Sequence, residues 1–480
     1  MCSHQAQRRV LCAAIGLCLA YAEAAGPVDV NGVEYVSVTT DGGSSWQVPH
    51  NRSTGDADHR YKIPLSTAAS QFRIASNSKF FTALAIYQLQ DRGLLNVSVP
   101  VTELLNATDY AKFGKPNVTS WCPQVAGDAS GACRPPTLEQ VLAMTSGLVG
   151  VDNCQAAMAH VPSLAPVCQR QFALGPFVSS YGGNSAFMFA QAFDAPLLFA
   201  PGSRFSYANT GFVLAAYLVE KFSGQALAAY FEQHIFRPVG LSATYYDPND
   251  GQYAMHPGLA GEFRQYVAGW GGPTLSLGEC GVHMSAGSFA GAAGVRATVA
   301  DFHKWWRTVM RPDFKTPLVS EMGLRALLKP RIPTAPGSAS YFAQGMQVIP
   351  SKQAGGFPTQ LSYCGASYCT VTCNIMETSP DGADQVIVSS WTNHQIYVLP
   401  QATTFVELAG LNDYDVPLGP FADPALPWFS LAPPASGLGT FAQSLNIASN
   451  GANKLLAEYT AGPTPKPTPA PPTPPPTPPA

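Results

Sequence analysis

The chain has 480 residues, 46% of them apolar and only 12% charged, with 27 Lys and Arg against 30 Asp and Glu and a formal net charge of -3. That apolar fraction can supply large cores and excludes a disordered chain. The balanced charge, with no cluster of Lys and Arg, excludes the basic stripe that nucleic acid requires.

Residues 1–24 carry Arg8-Arg9, then the apolar run VLCAAIGLCLAYA, then small residues around Ala22-Glu23-Ala24. This is the layout of a secretory signal peptide cleaved after Ala24, so a secreted protein is expected. No later run reaches the roughly 18 uncharged apolar residues of a bilayer span, so no transmembrane segment is expected. Of 11 cysteines, Cys2, Cys12 and Cys18 leave with the signal and eight remain. In an oxidising compartment eight half-cystines read as up to four disulfides, with 122–133 and 154–168 as the expected local pairs. Cys280, Cys364, Cys369 and Cys373 could instead form a zinc site, the weaker reading for an exported chain. Sequons at Asn51, Asn96, Asn106 and Asn117 would lie on the surface if glycosylated.

Short alternating pieces within 31–74, such as VEYVSVTT and SQFRIA, predict strands. From Ser76, Phe80, Ala83, Leu84 and Tyr87 recur at helical spacing and Gly93 offers a stop, so a helix is predicted over 76–91. Further helices are predicted at 137–144, 212–235 and 299–309. VIVSS (386–390) and QIYVLP (395–400) read as late strands, followed by a helix over 401–409. Strands at both ends of a helical middle point to an α/β body whose sheet joins distant parts of the chain. We take 25–410 as that body and 411–460 as an extension packing on it. The Pro- and Thr-rich stretch 461–480 is a disordered tail that favours polyproline II.

Ser76 and Lys79 open the first strong helix, and an i, i+3 spacing puts them on one face, one turn apart. A serine hydroxyl becomes a nucleophile when a neighbour accepts its proton, and a lysine in an apolar cleft at a helix amino terminus can serve. Read alone, those residues are more often an ordinary helix start. In PGSRFSYANTGF, Tyr207 and Asn209 stand two apart among turn formers, a spacing that turns a phenol and an amide to one side. The bland reading there is a core aromatic beside a turn asparagine. His303, next to Trp305 and Trp306, reads as helix surface and packing. No G-x-G-x-x-G, P-loop, H-E-x-x-H or G-x-S-x-G is present, so no nucleotide or other cofactor is expected and the α/β-hydrolase arrangement is disfavoured.

Five segments in order resemble the serine β-lactamase and penicillin-binding protein superfamily, in its class C β-lactamase, esterase and D-aminopeptidase branch. They are FRIASNSKFFTALAIYQLQDRGLL (72–95), TLEQVLAMTSGLVG (137–150), PGSRFSYANTGFVLAAYLVE (201–220), IFRPVGLSATYY (235–246) and GAAGVRATVADFHKW (291–305). The resemblance implies an antiparallel sheet flanked by helices, with a second mainly helical domain and the active site between them. It implies Ser76 as acylated nucleophile, Lys79 as proton acceptor, Tyr207 as proton shuttle and Asn209 as its polar partner. An oxyanion hole would join the Ser76 N–H to one from a late strand. Met144 stands where relatives often have His, and a structural role is expected for it.

The third family motif departs from the pattern. Relatives carry Lys-Thr-Gly or His-x-Gly there, whereas this chain has Ser362-Tyr363-Cys364-Gly365. If Gly365 is the matching glycine, Tyr363 replaces the basic residue, and attraction for a substrate carboxylate weakens. The expected function is a secreted serine hydrolase forming an acyl-enzyme on a small ester or amide, with esters favoured over β-lactams. The alternatives are a catalytically impaired binding protein on the same scaffold and a D-aminopeptidase or transesterase. Oligomeric state is left open.

Overall fold

The computed structural model describes residues 32–58, 62–150, 193–246, 263–268, 274–279, 289–334, 337–366 and 370–399. The signal segment, the helix expected at 401–409, the extension, the tail, the 154–168 cysteine pair, Cys280 and Cys369 lie outside the described residues.

Eight strands form the main sheet: β1 (Gly32–Thr39), β2 (Gln47–Thr54), β3 (Ile332–Pro333), β4 (Tyr341–Phe342), β5 (Gln347–Ile349), β6 (Gln360–Ala366), β7 (Val371–Thr378) and β8 (Gln385–Thr392). Their order is β3-β4-β5-β6-β7-β8-β1-β2, with antiparallel pairing throughout. β1 lies against β8 with Val36 opposite Val388, so the sheet joins distant parts of the chain, as expected. His394–Leu399, also expected as a strand, belongs to a separate three-stranded sheet.

Strand side chains alternate between two faces. Val33, Leu361, Tyr363, Met376, Ile387 and Trp391 join the principal core, whereas Val36, Val371, Cys373, Ile375 and Val388 form a cluster on the opposite face. Cys364 and Cys373 stand directly opposite each other on β6 and β7 and form a disulfide. That bond uses two cysteines of the alternative zinc set. The expected 122–133 bridge is present.

Among the described residues the α-helices of five or more residues are α1 (Ser78–Asp91), α2 (Ala107–Lys112), α3 (Leu138–Leu142), α4 (Asn209–Ser223), α5 (Leu227–Phe231), α6 (Val299–Val309) and α7 (Glu321–Leu328). Every residue of α1 from Ser78 to Leu89 is buried, so this helix is enclosed on all sides, as apolar residues around the whole circumference require. Phe81 stacks on Trp305 with ring centroids 4.3 Å apart, tying α1 to α6. The single helix expected over 212–235 is two: α4 ends at Gly224, whose φ of 70° is left-handed, and the chain resumes as α5. A glycine carrying that conformation without a Cβ clash terminates helices in this way.

His303 corrects the surface reading. Because α6 lies across β1 and β8, this histidine faces the sheet with no accessible surface, its ring between Ser37 and Ser389. Burial, reinforced by the charge of Arg307, holds the imidazole well below the usual histidine range. The folded protein therefore keeps it neutral, while the unfolded chain binds a proton below about pH 6.5. Its contribution is complete above that pH and falls away under acid, by up to about 1.4 kcal/mol per pH unit. Urea midpoints measured from pH 7 to 5 are expected to fall, with a shallower fall in His303→Gln. Parallel curves for the two proteins would contradict this.

The junction that positions the site lies between β6 and the turn before α1. Pairing with β5 ends at Ser362, and beyond it Gly365 packs against that turn. A Cβ at Gly365 would overlap the Ile74 carbonyl oxygen and lie 2.8 Å from Asn77 Nδ2. Both are held in the core, so neither can yield cheaply. Gly365→Ala is expected to lose about 1–3 kcal/mol of unfolding free energy through this overpacking. Calorimetry showing wild-type stability would contradict the close approach.

Candidate active site

The turn is built from Ala75, Ser76 and Asn77, a single 3-10 turn leading into α1. Ala75 has φ of 45°, a left-handed value that costs a non-glycine residue about 1–3 kcal/mol. The strand Val295–Ala297 secures the surroundings. Ile74 N–H donates to the Val295 carbonyl at 3.1 Å, and Val295 N–H donates to Ser78 Oγ at 3.1 Å. Ser76 is thereby held at the mouth of a buried helix while keeping partial exposure.

Lys79 has no accessible surface. Its Nζ donates to Ser76 Oγ at 2.9 Å and to the Ala292 carbonyl at 3.0 Å, and lies 4.9 Å from the Tyr207 ring centroid and 5.8 Å from that of Phe212. Thr82 Oγ1 donates to the neighbouring Gly291 carbonyl at 2.8 Å, fixing the segment that supplies the Ala292 oxygen. Tyr207 OH lies 2.7 Å from Ser76 Oγ. Three groups from two distant segments thus share one hydrogen-bonded junction.

Met144 has the structural role expected of it. Its backbone is left-handed, with φ of 58°. Its carbonyl accepts from Ser206 N–H at 2.9 Å and its Sδ accepts from Ala208 N–H at 3.3 Å, so it grips the loop on both sides of Tyr207. Asn209 is the first residue of α4 and is buried. Thr210, beside it, donates its hydroxyl to the Val149 carbonyl at 3.0 Å.

Tyr363 and Gly365 both take the helix-facing side of β6. Tyr363 is 4% exposed and packs edge-on to Phe342, with ring centroids 6.0 Å apart. Burial, and then the Tyr207 phenol beside it, push its hydroxyl well above the usual tyrosine range. It is therefore a neutral group at neutral pH. The Cys364–Cys373 bond lies on the other face, so it leaves the alternation of Tyr363 and Gly365 intact.

Sequence reasoning missed the left-handed Ala75 and the acceptor at Ala292, and nothing in either residue type signals these backbone roles. It also passed over Asn77, whose Nδ2 donates to the Thr372 carbonyl at 2.9 Å beneath β7. Among the described residues no group of three or more His, Cys, Asp or Glu could hold a metal ion, and no helix is long and apolar enough to cross a membrane. Chemically, the junction can pass a proton among a hydroxyl, an amine and a phenol, and it offers a half-exposed oxygen to a carbonyl.

Residues 35–394 match the family model described as Beta-lactamase. The chain is 26% identical over 201 residues to "Penicillin-binding protein 4*" of Bacillus subtilis (strain 168), covering 41% of this chain and 34% of that protein. The chain spans 34% or less of the length of the curated relatives it matches. Its fold resembles the penicillin binding protein from Bacillus halodurans, with a TM-score of 0.51 and 22% identity over 76% of this chain and 91% of that one. It also resembles EstCE1, described as a hydrolase with promiscuous acyltransferase activity, with a TM-score of 0.53 and 18% identity over 76% and 89%. With a family match running from β1 past the end of β8, and a sheet-and-helix fold shared with these structures, the chain belongs to the Beta-lactamase family of serine hydrolases.

Proposed function

We propose that this protein is an exported serine hydrolase that forms an acyl-enzyme at Ser76 on small ester or amide substrates, with esters favoured over β-lactams. The observation that carries the reading is the junction of Ser76 Oγ with Lys79 Nζ at 2.9 Å and Tyr207 OH at 2.7 Å. Lys79, when neutral, takes the hydroxyl proton as Oγ attacks the substrate carbonyl. The negative charge that develops on the carbonyl oxygen faces the Ser76 N–H and the edge of β6 beyond Ser362, where backbone donors stabilise it. Tyr207 delivers a proton to the leaving oxygen or nitrogen and draws one back from the water that releases the acyl group, while Lys79 returns its proton to Ser76 Oγ as the acyl group departs. Asn209, buried at the start of α4, is the polar partner of Tyr207 in this reading. Export rests on the amino-terminal segment, and the two disulfides among the described residues are compatible with it.

Preference for esters follows from Tyr363. A neutral phenol in the position of a lysine gives a substrate carboxylate no ion pair, so substrates that depend on one lose the advantage it gives. A simple ester has no carboxylate to anchor. The same substitution motivates the alternative of a non-catalytic binding protein, and turnover decides between them.

Purified protein is expected to hydrolyse short p-nitrophenyl esters faster than a penicillin, with Ser76→Ala slower by about a thousandfold or more. Ester hydrolysis that survives Ser76→Ala in folded protein would overturn the proposal. Tyr363→Lys is expected to raise kcat/KM for the penicillin relative to the ester by about tenfold, the worth of one charge-assisted hydrogen bond. An unchanged ratio in a folded variant would remove Tyr363 from the account of specificity.

A further inference from the structure

Asn77 lies between Ser76 and Ser78, but its side chain belongs to the sheet. Its Nδ2 donates to Thr372, at 2.9 Å to the carbonyl and 2.8 Å to Oγ1. Its Oδ1 accepts from Asn374 Nδ2 at 3.2 Å. Asn374 Oδ1 accepts from Ser389 Oγ at 2.6 Å and from Trp391 Nε1 at 2.8 Å. Ser389 Oγ lies 2.9 Å from His303 Nε2, and His303 Nδ1 lies 3.0 Å from Ser37 Oγ. Asn77, Thr372, Asn374, Ser389, His303 and Ser37 are each 4% exposed or less. One buried chain of hydrogen bonds therefore runs from the turn of Ser76 through β7 and β8 to α6 and β1.

The direction of every proton in the chain follows from Trp391. An indole N–H can only donate, so the Asn374 atom it meets is the oxygen. Ser389 must then donate to that oxygen as well, and with its one proton committed it can only accept from His303. Nε2 of His303 therefore carries hydrogen, and because the buried ring is neutral, Nδ1 accepts from Ser37. At the other end Asn374 can only donate to Asn77, which leaves the Asn77 amide to donate to Thr372. The Thr372 hydroxyl spends its proton on the Ile74 carbonyl at 3.3 Å or the Gly365 carbonyl at 3.2 Å. Those two carbonyls belong to the elements that meet at Gly365, the Ser76 turn and β6. A fully satisfied buried network fixes one arrangement of the elements it joins, where apolar side chains would tolerate several.

We propose that Asn77, Asn374 and His303 are positioning residues that set the separation between Ser76 and the edge of β6. This rests on the acyl-transfer reading, in which the carbonyl oxygen sits between the Ser76 N–H and the edge of β6. None of the three touches the reacting atoms, and His303 acts through Ser389 and the two asparagines.

The test uses His303→Leu, His303→Gln and Ser389→Ala in the full-length secreted protein. Glutamine can present an amide N–H to Ser389 where Nε2–H stood, and leucine cannot. The measurements are the rate of Ser76 modification by a fluorophosphonate, kcat and KM for a p-nitrophenyl ester, and hydrogen exchange of segments 74–79 and 361–366. His303→Leu and Ser389→Ala are expected to slow modification and kcat by about tenfold, with KM changed less than about twofold. Exchange in both segments is expected to quicken, and His303→Gln to recover most of each loss. Variants that melt earlier yet keep wild-type modification rates and exchange would show a purely structural network and overturn the proposal. If wild-type Ser76 does not react at all, the serine-hydrolase reading fails. Exchange then decides the positioning claim by itself, with unchanged exchange refuting it.

Discussion

A lysine side chain without accessible surface constrains everything around it. Burying such a group is costly unless its donors are met, so the fold has to bring acceptors to Lys79 from wherever the chain can supply them. Ser76 supplies one from a turn earlier and the Ala292 carbonyl another from more than two hundred residues away, while the Tyr207 and Phe212 rings close over the amine. Each partner is held in turn: Ala292 through Thr82 and Gly291, Tyr207 through Met144. Requirements for holding the lysine and for activating the serine coincide at Ser76, because its hydroxyl both accepts from Nζ and can give up its proton.

Sequence made part of this legible. Ser76 and Lys79 announce themselves because a helical repeat fixes their relation, and Tyr207 and Asn209 because they share a short loop before a helix. Both relations are local and do not depend on the rest of the fold. The order of the main sheet was legible only in outline, since VEYVSVTT and VIVSS read as strands but nothing in either names the other as its neighbour. The helix expected over 212–235 failed at Gly224, where one left-handed residue outweighed an apolar pattern that continues on both sides.

What stayed hidden depends on tertiary context. Thr372, Asn374 and Ser389 are ordinary polar residues on strands, and alternation alone would as readily place them in solvent. The packing of α6 across β1 and β8 covers Ser389 together with His303, and the Ser76 turn covers Thr372 and Asn374. Ala75 gives no sign of its left-handed backbone, because alanine rarely adopts it. Gly365 was suspected from a motif, yet its reason is the Ile74 carbonyl packed against it. The Cys364–Cys373 disulfide faces away from Ser76, and at Tyr363 the departure from the family pattern is the chemistry of a neutral phenol beside Tyr207.

Covalent catalysis at Ser76 is the central claim, and an acyl-enzyme has a mass. Rapid-quench intact-protein mass spectrometry during turnover of a slowly hydrolysed p-nitrophenyl ester tests it most directly. The account predicts a species heavier by one acyl group, located on Ser76 by peptide mapping, which forms and decays at rates that reproduce kcat. Turnover with no acylated species, or with the acyl group on another residue, would contradict it.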